Sequence, residues 1–477
     1  MARSLGSPDD QDIVVVGATG DLAARKLLPA LYNLAAEGLL PKAGDIVGVA
    51  PLPWDDAKFR DHARGAVRQF SRTGLDEKVF TSFAERLRFC AINTVGDLAP
   101  VRALLSRPRR LLYLAVPPSA FTSLIGNVQA AGLAEGTSLI IEKPFGRDTA
   151  SAAALNEALH AVLPEERILR IDHYLGKETV QNLLVFRFGN SVFERVWNRD
   201  AIARVEITVA EELGVEQRGR FYEDIGAIRD IVQNHLFQVL AVTAMEPPVS
   251  FDAEAIRNEK VKVLSALHPI QPKDVVRGQY SAGSVAGTRV PAYRDEAGVD
   301  KNSGTETFAG LRVHLDSWRW SGVPFLLRTG KRLAQRDTRI VITFRDVPLH
   351  LFRSTGVHAV DSNRLVVRIQ PDEGIEMTFV AKRPGPEVDT QGVSMNFNYQ
   401  SSFKTSPPEA YERLLHDALL GDHTLFIRED EVEHGWKAVQ PVLDAPPPVI
   451  LYPAGSWGPA EADTLVRPGH WHNPGAE

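Results

Sequence analysis

The 477-residue chain is 44% hydrophobic and 24% charged, which leaves room for two or three domains with a large core, and its net charge of −6 argues against nucleic acid as a main partner. The single cysteine, Cys90, excludes an intrachain disulfide and a cysteine-based metal site. No apolar run is long enough to span a bilayer and the first ten residues lack the apolar core of a signal peptide, so we expect a cytoplasmic protein.

A nucleotide site is predicted near the start of the chain. The apolar run from Asp12 ends in Gly17, which is typical of a parallel strand buried on both faces. Gly17 and Gly20 open a turn, and leucines at helical spacing follow it, although Ala23 takes the place of a third glycine. A glycine turn before a helix N-terminus can bind a pyrophosphate. The predicted cofactor-binding residues are Gly17, Ala18, Thr19, Gly20, Asp21 and Leu22.

Further strand-like runs follow at helix-sized intervals, which predicts a doubly wound, Rossmann-type parallel sheet in a domain of residues 11–174. One run leads into Glu142-Lys-Pro-Phe-Gly146, so Lys143 would bring a positive charge to the carboxyl edge of that sheet. The Lys143–Pro144 bond is a candidate cis peptide.

The segment Arg170-Ile-Asp-His-Tyr-Leu-Gly-Lys-Glu178 concentrates polar side chains after a buried strand, where ligands bind in open α/β sheets. His173 and Lys177 suit a phosphate, and Asp172 suits holding a second histidine in one tautomer. The alternative is a salt-bridged turn between a strand and a helix.

The second predicted domain, residues 175–477, contains alternating patterns typical of a large, mainly antiparallel sheet with helices, so the fold class is α/β plus α+β. Residues 204–209 predict a half-buried antiparallel strand. A helix of about residues 226–245 carries Asp230 and His235. At about 100° per residue these two lie about 140° apart, so Asp172 is the better partner for His235.

Four segments, residues 17–23, 142–146, 170–178 and 228–236, resemble the motifs of the glucose-6-phosphate dehydrogenase family in order and spacing. The resemblance extends from about residue 11 to about residue 470. It implies oxidation of β-D-glucose 6-phosphate to 6-phospho-D-glucono-1,5-lactone with hydride transfer to NADP, the first step of the pentose phosphate pathway. It also implies a homodimer or homotetramer, and no metal is expected.

The resemblance implies roles for individual residues. His235 would be the general base and Asp172 its partner, and Lys143 would contact both cofactor and sugar. The implied substrate-binding residues are Lys143, His173, Tyr174, Lys177, Glu212, Asp230, Lys331 and Arg336. Gln370 is a further candidate. Glu211 competes with Glu212, because Leu213 replaces the family's usual proline and the match to Glu212 needs a one-residue gap.

The chain departs from the family after its second predicted strand. NADP-dependent members usually carry an arginine there that meets the 2′-phosphate, whereas this chain has Pro51-Leu-Pro53. No acid for an NAD ribose replaces it, so NADP is expected from the family while NAD or dual use stays open.

Two other functions compete with this interpretation. A dehydrogenase of the glucose–fructose oxidoreductase type also joins a dinucleotide domain to an open sheet, but the basic residues 173–177 argue against a neutral sugar. A dinucleotide sensor without catalysis would have little need for both Asp172 and His235.

Overall fold

The computed structural model describes residues 7–94, 96–349, 351–352, 362–403 and 408–475, which form two compact units. The first unit contains the described residues up to Lys177 together with residues 248–258 and 408–433. The second unit contains the remaining described residues. Two segments of the later chain therefore belong to the first unit, and the boundaries 11–174 and 175–477 stay a prediction.

The first unit is built on a seven-stranded sheet of order β17-β6-β5-β4-β1-β2-β3, in which only β17 runs antiparallel to its neighbour. Its strands are β1 Asp12–Val16, β2 Ile46–Ala50, β3 Leu87–Ala91, β4 Arg110–Leu114, β5 Thr137–Ile141, β6 Ile168–Ile171 and β17 Phe426–Ile427. The predicted doubly wound parallel sheet is confirmed.

Three of the α-helices begin after an aspartate side chain that accepts backbone N–H groups. Asp55 and Asp76 cap two of them through backbone N–H groups, and Asp148 forms a capping box with Ser151. The α-helices are α1 Leu28–Ala36, α2 Asp56–Phe70, α3 Glu77–Glu85, α4 Phe121–Ala130, α5 Thr149–His160, α6 Glu178–Phe188, α7 Ser191–Glu194, α8 Gly219–Glu223, α9 Phe237–Ala244, α10 Ala253–Ser265, α11 Tyr399–Phe403, α12 Ala410–Leu420 and α13 Glu429–Asp444. Ala23–Leu27 and Ile228–Leu236 form π-helices.

The second unit contains a nine-stranded sheet of order β16-β15-β14-β13-β7-β12-β11-β8-β18. Two of its pairs, β7–β12 and β8–β18, are parallel and the others antiparallel, so the predicted mainly antiparallel sheet is confirmed. Its strands are β7 Ile202–Ala210, β8 Val275–Ser281, β11 Phe308–Val313, β12 Phe325–Gly330, β13 Asp337–Phe344, β14 Arg364–Gln370, β15 Gly374–Lys382, β16 Thr390–Asn398 and β18 Val449–Pro453. Gly283–Val285 (β9) and Thr288–Val290 (β10) form a hairpin.

The strand predicted at residues 204–209 is confirmed and pairs antiparallel with β13, but the expectation that it is half-buried is wrong. Strand β7 lies inside the sheet, parallel to β12 and antiparallel to β13, and its polar residues Glu206 and Thr208 are buried. The C-terminal segment contributes to the burial of Glu206. The Glu206 carboxylate accepts hydrogen bonds from the backbone N–H of His472 at 2.8 Å and from the Arg204 Nε at 3.0 Å.

An aromatic core supports this sheet near the predicted substrate lysine. The Tyr452 hydroxyl donates to the Lys331 carbonyl oxygen at 2.6 Å, which fixes the backbone where β12 ends. The buried aromatic residues of this core include Tyr222, Tyr280, Tyr293, Phe308 and Tyr452. Among the described residues, no helix combines the length and the apolar character that a membrane crossing needs.

Candidate active site

The glycine turn after β1 is packed tightly against the neighbouring strands. Gly17 has φ of 89°, and a Cβ there would lie 2.3 Å from the Ala115 carbonyl oxygen, so only glycine fits. The N–H groups of Gly17 and Ala18 donate to the Val49 carbonyl at 2.8 and 3.2 Å. The turn thereby presents its outer part to solvent at the carboxyl edge of the sheet. The predicted cofactor residues that are partly or fully exposed are Gly17, Thr19, Gly20, Asp21 and Leu22.

The motif after β6 folds around the carboxylate of Asp172. This side chain is 1% exposed, and its Oδ1 accepts the backbone N–H of Tyr174 at 2.9 Å. The Asp172 carbonyl oxygen accepts the N–H of Leu175 at 3.0 Å, which closes the turn. Gly176 then passes so close to α12 that a Cβ would lie 2.8 Å from the Ala410 carbonyl oxygen.

Arg170 is structural. It is fully buried, and its guanidinium donates to Glu165 at 2.6 Å and to Asn156 at 2.9 Å. His160 and Glu429 join Glu165 with ligand atoms within 4.8 Å of one another, a spacing that could hold a cation. Because Arg170 already neutralises Glu165, we interpret this group as an ion-pair network.

The predicted phosphate-binding residues lie together in the first unit. The ring centroids of His173 and Tyr174 are 5.1 Å apart, and the Lys177 Nζ lies 3.9 Å from the centroid of the Tyr174 ring. A cation above the face of a phenol ring is held by the ring quadrupole, so the position of this ammonium is restricted. The arrangement combines an imidazole, a phenol and an ammonium, all of which can donate to a phosphate oxygen.

Lys143 lies two residues after the end of β5, and its peptide bond to Pro144 is cis, as predicted. The carboxylate of the preceding residue, Glu142, accepts hydrogen bonds from the hydroxyls of Tyr113 at 2.5 Å and Tyr411 at 3.0 Å. Burial raises the pKa of Glu142, although both phenols act in the opposite direction. Gly146 completes the turn with φ of 83°.

In the second unit, Lys331 meets Glu211 and not Glu212. Its Nζ lies 2.6 Å from the Glu211 carboxylate and 3.9 Å from that of Asp230. Two backbone hydrogen bonds hold Glu211 beside the end of β12. The Glu211 N–H donates to the Gly330 carbonyl oxygen, and the Glu211 carbonyl oxygen accepts the N–H of Leu333. Glu211 is therefore the glutamate that contacts Lys331, and the choice between Glu211 and Glu212 as a sugar ligand stays a prediction.

Asp230 and His235 lie on the π-helix Ile228–Leu236, which changes the angle expected between them. The expected angle of about 140° assumed α-helical geometry, whereas the i→i+5 bonding of a π-helix turns less per residue and brings residues five apart closer to one face. Asp230 is half-buried and His235 is 1% exposed. The Glu306 carboxylate accepts the Ile228 N–H at 3.1 Å and so fixes the beginning of this helix.

The candidates Arg336 and Gln370 are neighbours in the second unit. The exposed Arg336 donates from Nη2 to the Gln370 Oε1 at 3.0 Å, and Gln370 donates to the Thr338 hydroxyl at the same distance. Asp172 belongs to the first unit and His235 to the second, so their pairing stays a prediction.

Sequence reasoning missed three tyrosines near the predicted site. Tyr113 and Tyr411 contact Glu142, and the Tyr222 ring centroid lies 5.0 Å from the Lys331 Nζ. The position of Glu142 at a strand end beside Lys143 was an available signal. No short-range pattern marks Tyr411, which lies 269 positions away from Glu142.

Comparison with known protein families shows to which family this chain belongs. Residues 14–182 match the profile described as glucose-6-phosphate dehydrogenase, NAD binding domain, and residues 184–472 match the profile of the C-terminal domain of the same enzyme. The chain belongs to the glucose-6-phosphate dehydrogenase family. Individual members of the family match this chain over nearly their whole length.

The glucose-6-phosphate 1-dehydrogenase of Mycolicibacterium smegmatis is 46% identical, with 99% of each chain covered. Among solved structures, the enzyme from Mycobacterium avium has a TM-score of 0.87 and 39% identity, covering 98% of this chain and 99% of its own. A glucose-6-phosphate dehydrogenase in complex with glucose 6-phosphate has a TM-score of 0.88 and 36% identity over the same shares. The family's fold is therefore preserved throughout both units.

Proposed function

We propose that this chain is a glucose-6-phosphate 1-dehydrogenase, which converts β-D-glucose 6-phosphate and NADP⁺ into 6-phospho-D-glucono-1,5-lactone, NADPH and a proton. The observation that carries the proposal is the cluster of His173, Tyr174 and Lys177 at the carboxyl end of β6, in a chain that matches the family over both of its domains. This reaction is the first step of the pentose phosphate pathway.

The glycine turn after β1 fits a dinucleotide. A Cβ at Gly17 would collide with Ala115, so the backbone can approach a pyrophosphate where a side chain would block it. Gly17, Ala18, Thr19 and Gly20 would hold the pyrophosphate, with Asp21 and Leu22 opening the following helix. When bound, NADP supplies the acceptor for the hydride from C1 of the sugar.

Within this proposal, His235 removes the proton of the C1 hydroxyl. A histidine suits this role, because the ordinary pKa of imidazole is about 6.5 and lies near neutral pH. Asp172 pairs with the imidazole, fixes its tautomer and stabilises the cation that forms when the proton arrives.

The phosphate end of the sugar anchors the reacting end. At neutral pH a phosphate monoester carries about −1.5 to −2 charges, and His173, Tyr174 and Lys177 would hold it through charge-assisted hydrogen bonds. Each such bond contributes about 1.5–3 kcal/mol. Tight binding of this remote group orients C1 between His235 and the cofactor, which is how a non-reacting group promotes the chemical step.

The sugar ring would meet Lys331, Asp230 and Glu211. Their grouping around one ammonium supports the proposal, with Glu211 in the position first assigned to Glu212. Lys143 follows β5 and would contact both sugar and cofactor. Arg336 adds a second basic side chain, with Gln370 as its neighbour.

The test is reduction of NADP by the purified chain, followed by absorbance, with glucose 6-phosphate and plain glucose compared at equal concentrations. We expect turnover with the phosphorylated sugar and very little with glucose. Faster turnover of glucose would favour an oxidoreductase of the glucose–fructose type. Dinucleotide binding without turnover of either sugar would favour a sensor.

Three accompanying expectations have separate tests. A homodimer or homotetramer is expected from the family, and sedimentation would measure it. Cytoplasmic location would be tested by cell fractionation. The absence of nucleic acid as a partner would be tested by gel shift at low salt, where non-specific binding is strongest.

A further inference from the structure

A buried hydrogen-bond network links two motifs of the predicted site within the first unit. The Glu142 Oε1 accepts from Tyr113 of β4 at 2.5 Å and from Tyr411 of α12 at 3.0 Å. Burial, followed by the charge of Glu142, raises the pKa of Tyr411, so its hydroxyl remains a donor at neutral pH. Glu142 directly precedes Lys143, so Tyr411 is attached to the turn that carries this lysine.

The other side of Tyr411 faces the phosphate-binding motif. Its ring stacks on the His173 ring with centroids 6.3 Å apart and planes at 13°. Tyr174 contacts the same imidazole at a steep angle, with centroids 5.1 Å apart and planes at 58°. Two phenol rings therefore restrict rotation of the imidazole.

The start of α12 is held close to this motif by the backbone. A Cβ at Gly176 would lie 2.8 Å from the Ala410 carbonyl oxygen and 3.0 Å from the Ala410 Cβ. Tyr411 is the next residue, so its backbone is held beside the motif that carries His173. This contact gives Tyr411 a fixed backbone as well as a fixed hydroxyl.

We propose that Tyr411 is a positioning residue, which orients the His173 imidazole for a phosphate oxygen and is itself anchored on Glu142. The proposal rests on the proposed function for the identity of the phosphate ligand. An imidazole can donate along only two directions in its ring plane, so ring orientation decides whether a hydrogen bond to phosphate forms. Tyr411 therefore acts on substrate binding through His173 without contacting the reacting atoms.

The experiment compares Tyr411→Leu and Tyr411→Phe with the unchanged enzyme. Leucine removes both the stack and the anchor, and we expect KM for glucose 6-phosphate to rise about threefold to tenfold, the range that corresponds to an aromatic pair. Phenylalanine keeps the stack and should recover most of this loss. The KM for NADP and the kcat/KM for plain glucose should remain unchanged.

Tyr32→Phe is the matched control. Tyr32 is a buried tyrosine of the same unit, whose hydroxyl accepts the Asp76 N–H at 2.8 Å and whose ring packs against Phe80 and Phe83. We expect Tyr32→Phe to lose some stability and to have the same KM for glucose 6-phosphate as the enzyme without substitutions.

Two results would overturn the proposal. One is a folded Tyr411→Leu enzyme whose KM for glucose 6-phosphate is unchanged. The other is an equal loss with glucose 6-phosphate, plain glucose and NADP, which would indicate a structural role only. If the unchanged enzyme turned over no sugar, the proposed function would fail by itself. Calorimetric titration with inorganic phosphate would then decide the positioning role, through weaker binding by Tyr411→Leu.

Discussion

The Lys331 ammonium and the Glu211 carboxylate are 2.6 Å apart within the second unit. Lys331 is 5% exposed, so its charge is largely removed from water and depends on the carboxylates around it. Asp230 lies on the same ammonium at 3.9 Å. The three side chains form a polar group in which a sugar hydroxyl could find both donors and acceptors.

Substitution of Glu211 tests this group directly. In Glu211→Gln the charge beside Lys331 is lost, and we expect KM for glucose 6-phosphate to rise about tenfold or more, since hydrogen bonds to charged groups contribute about 1.5–3 kcal/mol. Glu212→Gln is the matched control and should change KM little. Steady-state kinetics measures both variants, and a larger effect of Glu212→Gln would restore the original assignment.

Replacement of His235 tests the proposed base. In His235→Asn we expect kcat to fall by about 10²–10⁴, the usual contribution of general acid–base catalysis, while binding of glucose 6-phosphate by calorimetry stays nearly unchanged. His268→Asn, at an exposed histidine of the same unit, should retain activity. Normal turnover by His235→Asn would remove this residue from the mechanism.

Features that depend on neighbouring residues were predictable from the sequence. Strand β1 is predictable because its run of apolar residues after Asp12 is typical of a parallel strand that is buried on both faces. The turn at Gly17 followed from the glycine itself, and the Lys143–Pro144 cis bond was foreseen because only X–Pro bonds adopt that form readily. These signals are local and survive in any folded context.

Features that depend on distant residues were not predictable. The side-chain pattern of Ile228–Leu236 is compatible with an α-helix, and its π-helical bonding starts where Glu306 caps the Ile228 N–H. The contact between Tyr411 and Glu142 joins residues 269 positions apart. The contact of Glu211 with Lys331 depends on the pairing of the Glu211 backbone with Gly330 of β12, which no motif encodes.

Cofactor preference depends on the edge after β2. Pro51, Leu52 and Pro53 are exposed there and supply no cation for a 2′-phosphate. We expect Pro51→Arg to raise kcat/KM for NADP about tenfold or more while leaving that for NAD unchanged, because an arginine can bind a phosphate with two hydrogen bonds. Pro51→Ala, which adds no charge, should leave the ratio of kcat/KM for NADP to kcat/KM for NAD unchanged. An unchanged ratio in Pro51→Arg would show that another group already holds the 2′-phosphate.

The beginning of the π-helix requires a glycine at position 226. Gly226 has φ of 66°, and a Cβ there would lie 2.5 Å from the Glu306 carboxylate. We expect Gly226→Ala to lower the free energy of unfolding by about 1–3 kcal/mol, the cost of a strained backbone conformation, and to lower activity as well. Gly65→Ala on the exposed face of α2, where a Cβ has open space, should instead raise stability by about 0.5–1 kcal/mol. Urea denaturation measures both, and equal stability of Gly226→Ala would contradict the expectation.

The pH dependence of stability is expected to involve His472. Burial, followed by the charges of Arg364 and Arg339, lowers the pKa of this imidazole to about 4, against about 6.5 in the unfolded chain. Between these values the unfolded state binds more protons, so stability is full above pH 6.5 and falls as the pH drops toward 4.

His472→Gln removes this group, and unfolding by urea at pH 7.5 and pH 5 measures its contribution. Each unit of pKa difference corresponds to about 1.4 kcal/mol, and because the ring is partly exposed we expect roughly 1 kcal/mol less loss of stability at pH 5 in the variant. His470→Gln, at an exposed histidine two residues earlier, should keep the original dependence. If His472→Gln lost as much stability at pH 5 as the unchanged chain, other groups would have to account for the acid sensitivity.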